Sequence, residues 1–230
     1  MGTFYNSRIV RDGLVLHLDA ANVKSYPGSG STWYDLSGNG LNFTMVGTPT
    51  YNSAGYFDNF SAANYFECNS ATGWTNLIPV ADQPRTVCAL IRRVTGTTQE
   101  HIIHWGAAVA GQASGLSLQS TTGYLMDHRW STSNIGATAL VTNTDYYVSM
   151  RYDTNTYPGA RFQVNEQYDT QTDTTANLAT GTTTLRVGSR ISTPTEVFTG
   201  RIHSVMVYNR ALSDEELAIN FEAVRGRVNV

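Results

Sequence analysis

The sequence predicts an all-β chain, an antiparallel β-sandwich closed by one short C-terminal helix, and three observations carry that prediction. The composition is rich in Thr, with 20 Gly and 13 Tyr but only 14% charged residues, and β-branched and aromatic side chains suit a pleated, half-buried surface. Turn chemistry recurs about every ten residues between short apolar runs, the spacing of a sandwich. No low-complexity linker, charge run or internal repeat divides the 230 residues, a length that all-β folds span as one unit. One domain over residues 13–230, preceded by an N-terminal arm of residues 1–12, is the expected organisation.

The first strand begins at Gly13. Leu14, Leu16 and Leu18 alternate with Val15, His17 and Asp19, the period-two pattern of a half-buried strand, so the leucines are assigned to the core and His17 to the other face. Pro27-Gly-Ser-Gly30 and Ser37-Gly-Asn-Gly40 are turns, because Gly and Asn tolerate positive φ and Pro presets the entry. Further strands are expected at 56–60, 64–68, 85–94, 101–105, 115–119, 123–129, 146–152, 160–166 and 184–188. In the seventh of these Tyr146, Val148, Met150 and Tyr152 share one face, assigned to the core, and Tyr147, Ser149 and Arg151 the other. The last strand, 198–208, holds Ile202, Val205 and Val207 out of strict alternation, which predicts a bulge or burial on both faces. Ser213 followed by Glu216 is a reciprocal capping box. Leu217, Phe221 and Val224 then form the apolar stripe of a helix ending near Gly226.

A net charge of −3 and the absence of any Lys/Arg run give no field for nucleic acid. No apolar run approaches the ~20 residues of a membrane span, and Met1-Gly-Thr-Phe-Tyr-Asn-Ser-Arg8 lacks the apolar stretch of a signal peptide, so synthesis in the cytoplasm without membrane insertion is expected. Cys68 and Cys88 give no spacing that demands a bridge. Cys88, inside the apolar run 87–91, reads as a buried free thiol.

Glycoside hydrolysis needs two carboxylates facing each other roughly 5–9.5 Å apart. Glu166, Asp169 and Asp173 have the nearest spacing but lie among Gln and Thr residues that read as a loop. Asp214, Glu215 and Glu216 are accounted for by capping. No Gly-x-Ser-x-Gly elbow is present. His101 and His104 resemble a metal pair, but three residues apart in a regular strand they fall on opposite faces. Sugars present CH patches and hydroxyl arrays, so a glycan site needs an aromatic face beside planar polar groups. Tyr124, His128 and Trp130 offer this on one face of a strand, with Asp127 and Arg129 on the other. The alternative is that Trp130 serves core or subunit packing.

The two ends of the chain carry a shared signature: Gly13-Leu-Val-Leu-His-Leu-Asp-Ala-Ala-Asn22 with Thr32-Trp-Tyr-Asp-Leu-Ser-Gly-Asn-Gly40, and Phe198-Thr-Gly-Arg-Ile-His-Ser-Val-Met-Val-Tyr-Asn-Arg-Ala-Leu-Ser-Asp-Glu-Glu-Leu217. Together they resemble the laminin-G-like branch of the concanavalin A-like lectin/glucanase family, in the form found in bacteriophage virion proteins. The central strands follow that family's order in rhythm. The resemblance implies terminal strands adjacent in one sheet. Its hydrolases carry Glu-x-Asp-x-x-Glu on an apolar strand, a pattern missing here, so the implied role is non-enzymatic. That role is a virion structural protein of the head or tail, made in the host cytoplasm, in contact with other virion proteins and with copies of itself, and aiding attachment to surface glycans. The alternative is a free-standing lectin module. Many relatives bind calcium through loop oxygens, and Asp35, Ser37 and Asn39 in the 35–40 loop offer oxygens at the right density for such a site. His203 and Ser204 stand where relatives often have acidic residues, and the alternative for the 35–40 loop is an Asx-type turn satisfied by its own side chains.

Overall fold

A computed structural model describes residues 8–68, 73–96, 98–130, 133–153, 157–169, 178–182, 184–192 and 196–228. Its strands are β1 (Leu14–Asp19), β2 (Thr32–Trp33), β3 (Phe43–Val46), β4 (Thr50–Asn52), β5 (Tyr56–Asp58), β6 (Tyr65–Cys68), β7 (Arg85–Arg93), β8 (Glu100–Gly106), β9 (Ala113–Leu118), β10 (Tyr124–Asp127), β11 (Asn134–Ala139), β12 (Thr144–Asp153), β13 (Tyr157–Val164), β14 (Gln167–Tyr168), β15 (Thr184–Val187) and β16 (Gly200–Tyr208). One helix, α1 (Asp214–Val224), follows. The first sheet runs β14-β13-β12-β7-β16-β5-β4, with β1 also paired to β16, and the second runs β11-β10-β9-β8-β15-β6-β3-β2. Every named pairing is antiparallel, as a sandwich of short alternating strands requires.

The two end segments meet. Leu16 pairs with Val207, Leu18 with Val205 and Asp19 with Ser204, so the first and last strands are neighbours as the end motifs imply. The 35–41 loop folds back along β1. Leu36 N–H donates to His17 O at 2.8 Å and Asn39 Nδ2 donates to Val15 O at 3.1 Å, which satisfies edge groups of β1 that would otherwise invite another strand. Trp33 bridges the sheets: its ring lies 4.8 Å from Phe57 on β5 and 5.1 Å from Phe66 on β6.

The capping box forms as the sequence predicts. Ser213 Oγ accepts from Glu216 N–H at 3.2 Å, and Glu216 Oε2 accepts from Ser213 N–H at 2.9 Å. Leu217, Phe221 and Val224 are buried against Tyr147, Cys88, Met206 and Tyr208 on the outer face of the first sheet. That face of β12 is thus also buried, although the core face is the assigned one and holds Val148 and Met150. The described end of the N-terminal arm is tied to α1, where Val10 N–H donates to Asn220 Oδ1 at 2.8 Å.

Three bulges alter the sequence reading. Between Leu14 and Leu16 the β1 register shifts, so Val15, Leu16 and Leu18 join the inter-sheet core while Leu14 packs beneath α1. This corrects the inward assignment of Leu14. The predicted irregularity of the last strand is a shift between Ile202 and Ser204, through which Ile202 and Val205 both reach the core. The third lies in β8 between His101 and Ile103. Cys68 and Cys88 are buried on different sheets and not joined in a disulfide, and burial raises the Cys88 pKa to about 12.

Candidate functional site

β16 begins at Gly200 and, while Ile202 enters the core, carries Arg201 and His203 on the outer face of the first sheet, beyond the end of α1. Tyr56 from β5 and Asp145 from β12 come to the same place, because both strands flank the β7-β16 centre of the sheet. The Arg201 guanidinium carbon lies 4.6 Å over the Tyr56 ring, and the Tyr56 and His203 rings are 5.3 Å apart. Asp145 accepts from Arg92 Nε at 2.9 Å and stands 3.7 Å from His203 Nε2. Arg227, from the turn after α1, grips both oxygens of Asp19 at 2.6 Å. Tyr56, Asp145, Arg201, His203 and Arg227 line a cleft of about 270 Å³. A second cleft of about 420 Å³, between Asp58, Asn59, Val94 and Thr199, adjoins it, and Arg201 lines both.

The electrostatics are mixed rather than strongly charged. Burial pushes the His203 pKa down to about 4, with the Asp145 carboxylate opposing only part of that shift, and the neighbouring outward-facing His17 is held at about 4 by the same cause. Both imidazoles are neutral at pH 7. Arg201 has no carboxylate partner among the described residues, whereas Arg92 and Arg227 are each paired. The cleft therefore presents one uncommitted planar cation, a neutral imidazole and a paired carboxylate within a few ångströms. That set can donate to and accept from an array of hydroxyls, or pair with one carboxylate.

The residues singled out from the sequence lie elsewhere. β10 ends at Asp127, and Trp130 sits in a turn with φ 75°, so Tyr124, His128 and Trp130 do not share a strand face. Tyr124 occupies the far end of β10, whereas the His128 and Trp130 rings meet edge to face at 5.9 Å. Asp127 and Arg129 are buried as an ion pair at 2.7 Å, and Arg129 stacks on Tyr152 at 5.0 Å.

The expected separation of His101 and His104 is overturned. The β8 bulge turns both away from Ile102 and Ile103, which pack in the core, and brings their rings within 4.6 Å of each other. His128 completes a buried group, 4.9 and 5.0 Å from them. Strict alternation in a strand fails wherever one extra residue is inserted.

In the 35–40 loop, Asp35 Oδ1 accepts from the His17 and Ser37 amides at 2.9 and 2.8 Å, and Oδ2 from Ser37 Oγ and the Leu41 amide at 2.6 and 3.2 Å. Four donors fill the acceptor sites of a carboxylate, so the loop is satisfied by the chain's own groups. Asp169 accepts from the Ala137 and Thr138 amides at 2.6 and 3.0 Å and braces β11. Glu166 lies in the turn between β13 and β14 and is exposed. Asp173 lies outside the described residues.

A family model described as the concanavalin A-like lectin/glucanases superfamily, of laminin-G type, matches residues 60–218. No curated protein sequence matches the chain. Among solved structures, a Trypanosoma rangeli sialidase is similar with a TM-score of 0.65 at 15% identity, covering 95% of this chain and 34% of that one. The chain thus spans about a third of the length of that sialidase. Domain 4 of an extracellular arabinanase from Geobacillus stearothermophilus, solved with arabinotriose, gives 0.61 at 17% identity, with 91% and 98% covered. The carbohydrate-binding module of a Ruminococcus gnavus sialidase, bound to α2,3-sialyllactose, gives 0.56 at 16%, with 67% and 90% covered. At these identities the likeness is one of fold. With the family model spanning more than half of its length, the chain belongs to the concanavalin A-like lectin/glucanase superfamily.

Proposed function

We propose that the protein is a non-enzymatic sugar-binding component of a phage particle, whose glycan site runs through the two adjoining clefts that share Arg201. The observation that carries the sugar-binding reading is the juxtaposition of Arg201, Tyr56, His203 and Asp145 around open space at the end of the first sheet. Two modules of the same fold hold an arabinotriose and a sialyllactose, which supports the substrate class. The described carboxylates support a binding role rather than hydrolysis. Asp145 in the cleft and Asp19 on the neighbouring strand are each held by an arginine, an arrangement suited to fixing hydroxyls rather than to the facing acid and base of hydrolysis. The virion assignment, with contacts to other particle proteins and to further copies of the chain, rests on the form of the end motifs.

A glycan array probed with the full chain, followed by calorimetry on the best glycan with Arg201→Ala, tests the site. Micromolar binding to at least one glycan, weakened tenfold or more in the variant, is expected. Binding to no glycan, or equal binding by both proteins, refutes the sugar site. Proteomics of purified particles tests the location. Micromolar glycan affinity together with absence from any particle favours the second reading, a free-standing carbohydrate-binding module, to which the likeness to isolated arabinanase and sialidase modules points.

A further inference from the structure

We propose that His101, His104 and His128 form a site for one zinc ion on the outer side of the second sheet, a site independent of the sugar clefts. One ligand nitrogen from each histidine lies within 4.8 Å of the others, and His104 Nε2 is 3.1 Å from His128 Nδ1. Zn–N bonds of ~2.0–2.1 Å in a tetrahedron place neighbouring nitrogens about 3.3 Å apart, so modest contraction of the His101 ring toward the other two completes the geometry.

The surroundings suit ligation. Ser117 Oγ lies 2.9 Å from His101 Nδ1. With a proton on Nδ1 that hydroxyl orients the ring and frees Nε2 for the ion, the second partner that histidine ligands ordinarily have. Glu196 Oε2, 3.2 Å from His101 Nε2, is placed to supply a fourth, anionic ligand at the half-open side. Three imidazoles with one carboxylate select zinc-type ions over calcium or magnesium, which demand oxygen. Burial is the main cause that lowers the pKa of all three imidazoles, with repulsion from the other histidines adding to it at His101 and His104 and the Glu196 and Asp127 carboxylates opposing it at His128; the neutral form is the one that offers lone pairs. Arg190 opposes a cation here, but its charge is directed to Glu196 at 2.9 Å and its guanidinium lies 5.0 Å over the Trp130 ring. His104 Nε2 lies 3.2 Å from the His128 carbonyl oxygen, which accepts its proton, and 3.1 Å from His128 Nδ1, while His104 Nδ1 accepts from the Ile191 amide at 3.4 Å. Ligation through Nε2 moves the His104 proton to Nδ1, releases the His128 carbonyl and opens the long Ile191 contact, so the ion and the 189–192 segment are coupled.

The test uses the full chain without a histidine tag, stripped with a chelator, desalted and titrated with zinc chloride. One zinc per chain by elemental analysis is expected, with a Tm rise of about 5–10 °C at a hundredfold excess over Kd. Cobalt in place of zinc is expected to give the visible absorption of a four-coordinate site, a readout that needs no variant. His128→Gln is expected to weaken zinc binding at least tenfold. A wild-type Tm unmoved by zinc, cobalt bound without that absorption, or unchanged zinc affinity in folded His128→Gln overturns the proposal.

Discussion

Acidification is predicted to destabilise the fold through its buried histidines. His17 and His203 take up a proton near 6.5 when the chain is unfolded but only near 4 when it is folded, because both are buried. Between those values the unfolded state binds more protons, so stability is intact above pH 6.5 and is lost as the pH falls toward 4. Linkage gives about 2.5 kcal/mol lost per histidine between about pH 7 and about pH 4.5, or about 5 kcal/mol for the two. Against a typical stability of ~5–15 kcal/mol that is a large share, and His101, His104 and His128 shift in the same direction. Urea unfolding followed by tryptophan fluorescence at the two pH values measures it. His203→Gln removes one titrating group, and its loss on acidification is expected to be smaller than the wild type's by about 2.5 kcal/mol. An equal loss in variant and wild type, or a wild type equally stable at both pH values, refutes the reasoning.

Phe221 is 3% exposed, with its ring 5.7 Å from Tyr147, and anchors α1 to the outer face of the first sheet. Phe221→Ala is expected to cost about 3–5 kcal/mol and to speed amide exchange throughout α1; a loss below ~1 kcal/mol would mean that the helix is not clamped by this ring. Because Asp35 already accepts from four donors, millimolar calcium added to chelator-treated protein is expected to leave the Tm unchanged. A rise of several degrees would show that the ion displaces those donors.

The longer strands were legible because each alternates over enough residues to declare a face, as in Tyr146 to Tyr152, and α1 because its cap and stripe are local. Thr32–Trp33, Phe43–Val46, Thr50–Asn52, Asn134–Ala139 and Gln167–Tyr168 were not. Four of these are short and ordered by the strands they pair with, whereas Asn134–Ala139, reading Asn-Ile-Gly-Ala-Thr-Ala, has one large apolar side chain and so shows no alternating stripe. Bulges were legible only where the apolar spacing itself broke. Ile202 and Val205 disclosed one, whereas the β8 bulge shows in sequence only as two adjacent isoleucines, Ile102 and Ile103, that both enter the core. That one inserted residue separates the expected divided pair of histidines from the observed cluster. The clefts were invisible for a different reason. Tyr56, Asp145, Arg201 and Arg227 are distant in sequence and converge only through the pairing of β5, β7 and β12 around β16 and the return of the chain after α1. Among the cleft residues the sequence singles out only His203, as a departure from the acidic residues of its relatives.

Amide chemical-shift mapping by NMR, with the best-binding glycan titrated into the isotope-labelled full chain, tests the sugar site most directly. Shifts concentrated at residues 54–58, 199–203 and 226–228 are the predicted result. Shifts concentrated instead at Tyr124 to Trp130, or scattered with no focus, would contradict the placement of the site around Arg201.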